Sequence, residues 1–166
     1  MNRCDECGFE YDLDAAETTG EAIRTGVVEF VELLGSPGAD LRSRRDPGVW
    51  SPLEYGCHLR DMLLVQRERV LAARRSTEPV MCTPMGRDER VEHDGYADQD
   101  PADVTRQLID AAALLGRDLD RLAASDWVRV VIYTYPTPSE RTLGWVATHT
   151  VHEVRHHTLD IRRQLT

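Results

Sequence analysis

Four of the six histidines fall within the string HTVHEVRHH, as His149, His152, His156 and His157. Imidazole nitrogens and carboxylate oxygens are standard protein ligands of divalent transition metals, so this density points to metal binding. On a helix, residues four apart lie one above the other, so Glu153 with His157, or His152 with His156, presents a pair of ligands to one ion. At about 100° per residue, His157 lies roughly 75° from the centre of the local apolar stripe, whereas His152 and His156 lie roughly 145–175° from it. The spacing therefore favours Glu153 and His157 as the inward pair and puts His152 and His156 on the solvent side, as the alternative pair. A third ligand must come from another helix. His58, one position before the apolar Leu59 and near Tyr55 and Met62, is the best placed. Two histidines and one carboxylate leave a coordination position open, which suits a catalytic Zn²⁺, or Ni²⁺ or Fe²⁺, better than a closed structural site. A single His such as His58 is ordinarily a satisfied, part-buried side chain, and a His-rich helix end also complements the helix dipole. The conjunction of His58 with the cluster is what favours a metal.

A second set of ligand-type residues lies at the other end of the chain. Cys4-Asp5-Glu6-Cys7-Gly8 has the form of half a zinc ribbon, with Gly8 suited to the knuckle turn. A structural site needs four ligands and no second CxxC exists, so Cys57, Cys82 or His93 would have to complete it through space. A redox pair is the other reading of Cys4 and Cys7, but the strand-then-helix setting of a thioredoxin-type CxxC is missing. Cys57 directly precedes His58 and reads either as a small buried core thiol or as a thiol near the metal.

Composition removes several classes of function. The 20 basic residues are all Arg, so no lysine Schiff base and no P-loop lysine can form. A net charge of −9 with scattered arginines argues against a nucleic-acid surface. The opening MNRCDECGFEYD lacks the apolar run of a secretory signal, and no segment has membrane-spanning length, so a cytoplasmic protein is expected. Four unevenly spaced cysteines do not make a disulfide scaffold.

The elements that must position these residues follow from periodicity. Ile23, Val27, Phe30, Val31 and Leu34 trace an amphipathic helix from about Thr19, ended by Gly35-Ser36-Pro37-Gly38. Ser51, Pro52 and Glu54 form a helix-start signal with a capping box, leading into a helix whose buried side carries Leu59, Met62, Leu63, Gln66 and Val70. Residues 76–100 read as a long excursion rather than an element. A third helix is expected after Asp100-Pro101, with Val104, Leu108, Ala111, Ala112, Leu115, Leu119 and Leu122 on one side. The β-branched and aromatic run from Trp127 to Tyr135 predicts an extended stretch or small hairpin. A last helix from about Glu140 to Leu165 buries Leu143, Ala147, Val151, Val154 and Ile161. The expectation is an all-α four-helix bundle over 19–166 with a short CxxC extension over 1–18 and a small extended segment before the last helix. Bundles of this size often dimerise, but no heptad seam specifies a homodimer.

Two strings carry a family resemblance. VWSPLEYGCHLRDM resembles the W-S-x-x-E-x-x-x-H start of the second helix in the DinB/YfiT-like superfamily, and LGWVATHTVHEVRHHTLDIRR resembles its last helix, where a ligand, three residues and a His precede a short run to Ile-Arg. Anchoring on Ile161 puts the family's last ligand at His157 and the preceding one at Glu153. The commonest closing pattern has two histidines four apart; here Glu153 takes the first position, which keeps His152 and His156 as a rival pair. The ligand pattern is similar to the branch of mycothiol-dependent maleylpyruvate isomerase. The resemblance implies a metal-dependent enzyme acting with a low-molecular-weight thiol such as mycothiol on a small electrophile, as an S-transferase, isomerase or hydrolase. It also implies that Tyr55 and His149, each about a turn from a ligand, are candidates for proton transfer. Arg87, Arg90 or Arg155 would bind a substrate carboxylate, unless they serve as solvated surface pairs. A non-catalytic metal-binding or stress-associated protein, and a thiol-independent cyclase or lyase, are the alternatives.

Overall fold

A computed structural model describes residues 3–165 of the chain. Four long helices dominate it: α1 (Thr19–Leu34), α2 (Pro52–Arg75), α4 (Pro101–Asp120) and α6 (Leu143–Leu165). Shorter elements lie between them: β1 (Val80–Met81), α3 (Arg87–His93), α5 (Ala124–Trp127), β2 (Val130–Tyr133) and β3 (Ser139–Thr142). The long helices form a ring in which α4 and α6 each pack against both α1 and α2, while α1 and α2 touch only weakly across the diagonal. Because α2 and α6 are direct neighbours, His58 and His157 meet at their interface.

Local chemistry explains where the helices begin. The Ser51 hydroxyl accepts from the Glu54 amide at 3.2 Å and the Ser51 amide donates to the Glu54 carboxylate at 2.7 Å, the reciprocal pair that the sequence predicts. Asp100 accepts from the amides of Ala102 and Asp103, and Pro101 occupies a first-turn position where its missing N–H costs nothing. Such caps contribute about 1 kcal/mol each. The last helix starts later than the periodicity suggests, at Leu143 rather than near Glu140. Residues Ser139–Thr142 pair antiparallel with β2, and the Thr142 hydroxyl accepts from the Trp145 amide to start the helix.

The apolar stripes converge on one core, in which Ile23, Phe30, Leu59, Leu63, Leu108, Leu115, Leu143 and Ile161 are fully buried. Each such side chain contributes about 2 kcal/mol by leaving water. Val31, Leu122 and Val151, expected on the same stripes, are half-buried at its margin. The polar residues of α6 are accommodated by back-bonding: the hydroxyls of Thr148, Thr150 and Thr158 donate to the carbonyls four residues earlier. At Gly26 the α1 backbone approaches α6 so closely that a Cβ would lie 2.8 Å from the Val154 side chain.

The segment over 76–100 is not a featureless excursion. Val80 and Met81 add a parallel strand to β2, making a three-stranded sheet of order β1-β2-β3, and Arg87–His93 form α3. Its proline, glycine and charge content hid these elements because each is too short to show a period. Among the described residues no helix is long and apolar enough to cross a membrane.

Candidate metal centre

Position 58 lies in the second turn of α2, downstream of the capped Ser51–Glu54 start, and points to α6. The His58 ring is 3 % exposed and its Nδ1 is buried with no hydrogen-bond partner among the described residues. Leaving a buried polar nitrogen unpaired costs about 1–3 kcal/mol, so such an atom invites a ligand. Across the interface α6 presents Glu153 and His157, one turn apart. One ligand atom from each of His58, Glu153 and His157 lies within 4.8 Å of the others. The donor set, two imidazoles and one carboxylate, fits a divalent transition metal with room for a further ligand.

The surroundings orient these groups. Nδ1 of His157 lies 2.9 Å from Asp160 Oδ2, and its Nε2 lies 3.7 Å from Glu153 Oε2. A carboxylate on the distal nitrogen of a ligand histidine fixes its ring and tautomer, which assigns Asp160 that positioning place. Asp160 is not among the residues that the sequence singles out; its signal is the three-residue spacing from His157 on the same helix face. Trp50, the W of the W-S-x-x-E-x-x-x-H string, forms one wall, with its ring centroid 5.0 Å from that of His58.

Charge states follow from burial and neighbours. Burial pushes the His58 imidazole down to about 3, and the positive His157 adds to this. Burial also opposes charge on His157, but the hydrogen bond to Asp160 and the Glu153 carboxylate outweigh it and hold that imidazole up at about 9. Glu153 is held well below the usual carboxylate range: burial works against it, and the contacts with His152 and His157 prevail. The centre thus holds an ionised carboxylate and a neutral imidazole ready to donate lone pairs.

Tyr55 lies beside the centre, its ring centroid 5.1 Å from that of His157, and burial pushes its phenol up to about 12, so it is a proton donor at neutral pH. His149 sits a turn before Glu153 with Nε2 3.8 Å from the Glu153 carboxylate, stacked at 4.6 Å on Trp145. Its Nδ1 is 2.8 Å from the Tyr11 hydroxyl, and burial pushes it down to about 4.

The three arginines part company. The Arg87 guanidinium lies 5.7 Å from the ring centroids of both Trp50 and Tyr135, at the edge of the centre. Arg90 is committed to structure, with contacts to Asp61 at 3.1 Å, Asp94 at 3.3 Å and the Met85 carbonyl at 2.8 Å. Arg155 is exposed and lines a groove of about 730 Å³ between α1 and α6, on another side of the helix from His157.

His152 and His156 correct one expectation. They are not on the solvent side: His152 is 8 % exposed and His156 is half-buried. The reason is the N-terminal segment, which folds over this face of α6. Phe9 and Tyr11 each place a ring centroid 5.5 Å from that of His152. Periodicity within one helix cannot register cover supplied by residues so distant in the chain. The same packing brings Cys4 and Cys7 to His152 and His156. Cys57, Cys82 and His93 are not their neighbours. Cys57 is buried among Leu53, Tyr96 and Val104, Cys82 lies in the main core after β1, and His93 is exposed at the end of α3.

The sequence profile of the DinB superfamily matches residues 21–161. The fold is similar to that of YfiT from Bacillus subtilis, with a TM-score of 0.70 and 18 % identity, covering 92 % of this chain and 87 % of that one. YfiT is described as "a probable metal-dependent hydrolase with an unusual four-helix bundle topology". No curated protein matches the chain.

Proposed function

The chain belongs to the DinB superfamily, and from that membership together with the α2–α6 geometry we propose that it is a metal-dependent enzyme that joins a low-molecular-weight thiol of the mycothiol type to a small electrophile, as an S-transferase or isomerase. The observation that carries the reading is the convergence of His58, Glu153 and His157 across the α2–α6 interface, one ligand atom of each within 4.8 Å of the others. These three residues would hold the ion, with zinc the best fit to the donor set. A divalent ion held there would lower the pKa of a thiol or water and so supply a nucleophile near neutral pH.

The chain's own residues supply the rest. Asp160 holds His157 in place, and Trp50 shields one side of the centre from water. Tyr55, with its proton retained to about 12, can donate to the negative charge that develops when a nucleophile adds to an electrophilic carbon. Arg87, exposed at the rim beside Trp50 and Tyr135, pairs with the exposed Asp88 at 3.3 Å, a solvent-screened contact that a substrate carboxylate could displace through paired N–H donors. Hydrolysis at the same residues is the second reading, favoured by the description of YfiT.

The test uses untagged, metal-loaded protein with a small thiol and monochlorobimane as electrophile, comparing wild type with His157→Ala. Thiol-dependent turnover that disappears in a variant of unchanged circular dichroism supports the proposal. Equal turnover in both proteins rejects it, and ester hydrolysis that needs no thiol moves the assignment to the hydrolase reading.

A further inference from the structure

The N-terminal CxxC and the α6 pair His152 and His156 remain outside that centre. We propose that Cys4, Cys7, His152 and His156 form a second, closed zinc site that fastens the N-terminal segment to α6.

The cysteines lie on a preformed knuckle. The Cys4 amide donates to the Phe9 carbonyl at 2.8 Å, the Gly8 amide donates to the Cys4 carbonyl at 2.9 Å, and Arg3 pairs antiparallel with Glu10. Gly8 has φ +68°, which a residue with a side chain adopts only at a cost. This tight loop turns both cysteines to one side. The histidines are four apart on α6 and so lie one above the other, with the C-x₂-C and H-x₃-H spacings of a Cys₂His₂ site. Here the two halves come from opposite ends of the chain.

One ligand atom from each of the four lies within 4.8 Å of the others, and Cys4 Sγ is 3.7 Å from His156 Nδ1. Metal–ligand bonds of about 2.0–2.3 Å in a tetrahedron put neighbouring donors roughly 3.3–3.8 Å apart, so small side-chain adjustments complete the shell. His152 is 8 % exposed, and both of its ring nitrogens are buried with no hydrogen-bond partner among the described residues. Four protein ligands, two of them thiolates, neutralise the ion and leave no open position, which distinguishes this structural site from the three-residue centre beside it.

The two sites share carboxylates. Glu153 Oε1 lies 3.1 Å from His152 Nδ1 while Oε2 faces His157, and Asp160 Oδ2 lies 2.9 Å from His157 Nδ1 and 3.7 Å from His156 Nε2. Glu6 Oε2 also approaches His156 Nε2, at 3.3 Å, leaving Nδ1 turned to Cys4. Among these contacts the hydrogen bond between His157 Nδ1 and Asp160 orients the His157 ring, while Glu153, next to His152 in the chain, links the two groups of ligands. A zinc ion at the knuckle therefore also helps to hold the α6 turn that carries Glu153 and His157.

Cobalt(II) substitution of the full-length, reduced protein tests the site without reference to any enzymatic activity. Expected is a thiolate-to-cobalt charge-transfer band in wild type that is retained in His58→Ala. Cys4→Ser/Cys7→Ser loses that band entirely, together with about one zinc ion per chain in the natural-metal protein. His156→Gln, which leaves the knuckle intact, shifts or weakens the band and serves if the double variant does not fold. Absence of the band in wild type overturns the proposal, as does a band that survives loss of both cysteines or is unchanged in His156→Gln.

Discussion

His58 of α2 and His157 of α6 meet edge to face, with ring centroids 5.0 Å apart and planes at 85°. Burial keeps the first neutral, with a pKa of about 3. The second is held up near 9 by Asp160 and Glu153 against the same burial. Two imidazoles this close in a dry interface cannot both carry charge cheaply, and a bound metal ion would reconcile them by drawing both as neutral ligands.

That relationship predicts how His58→Gln behaves. Because Nδ1 of His58 has no partner to lose, the metal-free variant should melt close to wild type, apart from small packing changes. What should vanish is stabilisation by added zinc at this centre, about 2.7 kcal/mol at a free concentration a hundredfold above Kd. Thermal melts in a Cys4→Ser/Cys7→Ser background isolate the effect. A zinc-induced shift of equal size with and without His58 would remove it from the ligand set.

Tyr11 anchors the N-terminal segment through its hydroxyl, 2.8 Å from Nδ1 of His149. The ring also stacks near Trp145 and contacts Phe9. Tyr11→Phe keeps the rings in place but leaves a part-buried imidazole nitrogen without its partner, so it should cost about 1 kcal/mol in urea unfolding. Tyr135→Phe is the control: that ring is exposed, and its substitution should change nothing measurable. If Tyr11→Phe is as silent as the control, the segment is not fastened through this bond.

The sequence revealed the bundle because each long helix carries its own evidence. The Ser51–Glu54 box, the Asp100-Pro101 start and the stripes of α1 and α4 are local signals, and local signals survive without knowledge of the fold. The pairing of Glu153 with His157 was legible for the same reason, since it depends on angles within one helix. The cover over His152 was not, because Phe9 and Tyr11 reach it only through tertiary packing. Asp160 escaped for a subtler reason: a carboxylate three residues from a histidine is common on helix surfaces, and only burial distinguishes this one. In β1 two residues are too few for any period to show.

Asp61 carries the acid sensitivity of the α2–α3 junction. Burial raises its pKa, but the hydrogen bonds from Arg60 at 2.8 Å and the Tyr96 hydroxyl at 2.7 Å outweigh it and hold the carboxyl below its usual range. Between the folded and unfolded pKa values the unfolded chain binds more protons, so stability rises with pH. The contribution is complete above the unfolded value of about 3.9 and is lost as pH falls through the lower folded value. Asp61→Asn should therefore cost about 3 kcal/mol at neutral pH by leaving the Arg60 guanidinium buried without its charge partner. Its deficit relative to wild type should shrink in acid. Urea midpoints for both proteins at neutral pH and near pH 3 check this; parallel loss in the two would place the acid sensitivity elsewhere.

Gly26 and Val154 set the separation of α1 and α6, and through it the position of Glu153. A Cβ at position 26 would lie 2.8 Å from Val154 Cγ1, and Val154 is buried and stiff about χ1, so it cannot simply turn aside. Gly26→Ala should gain about 1 kcal/mol of helix propensity yet lose roughly 1–3 kcal/mol to overpacking, for a net destabilisation of up to about 2 kcal/mol. Because Glu153 is the neighbour of Val154, the displaced α6 turn should also bind zinc more weakly at the His58 centre. Val154→Ala removes the clashing methyl groups, so the double variant should recover zinc affinity even though the small cavity at Val154 lowers stability on its own. A double-mutant cycle on unfolding free energy and on zinc affinity measures both consequences. Coupling in both quantities places the helix contact in control of the centre; additive effects would mean that α6 holds Glu153 independently of its distance from α1.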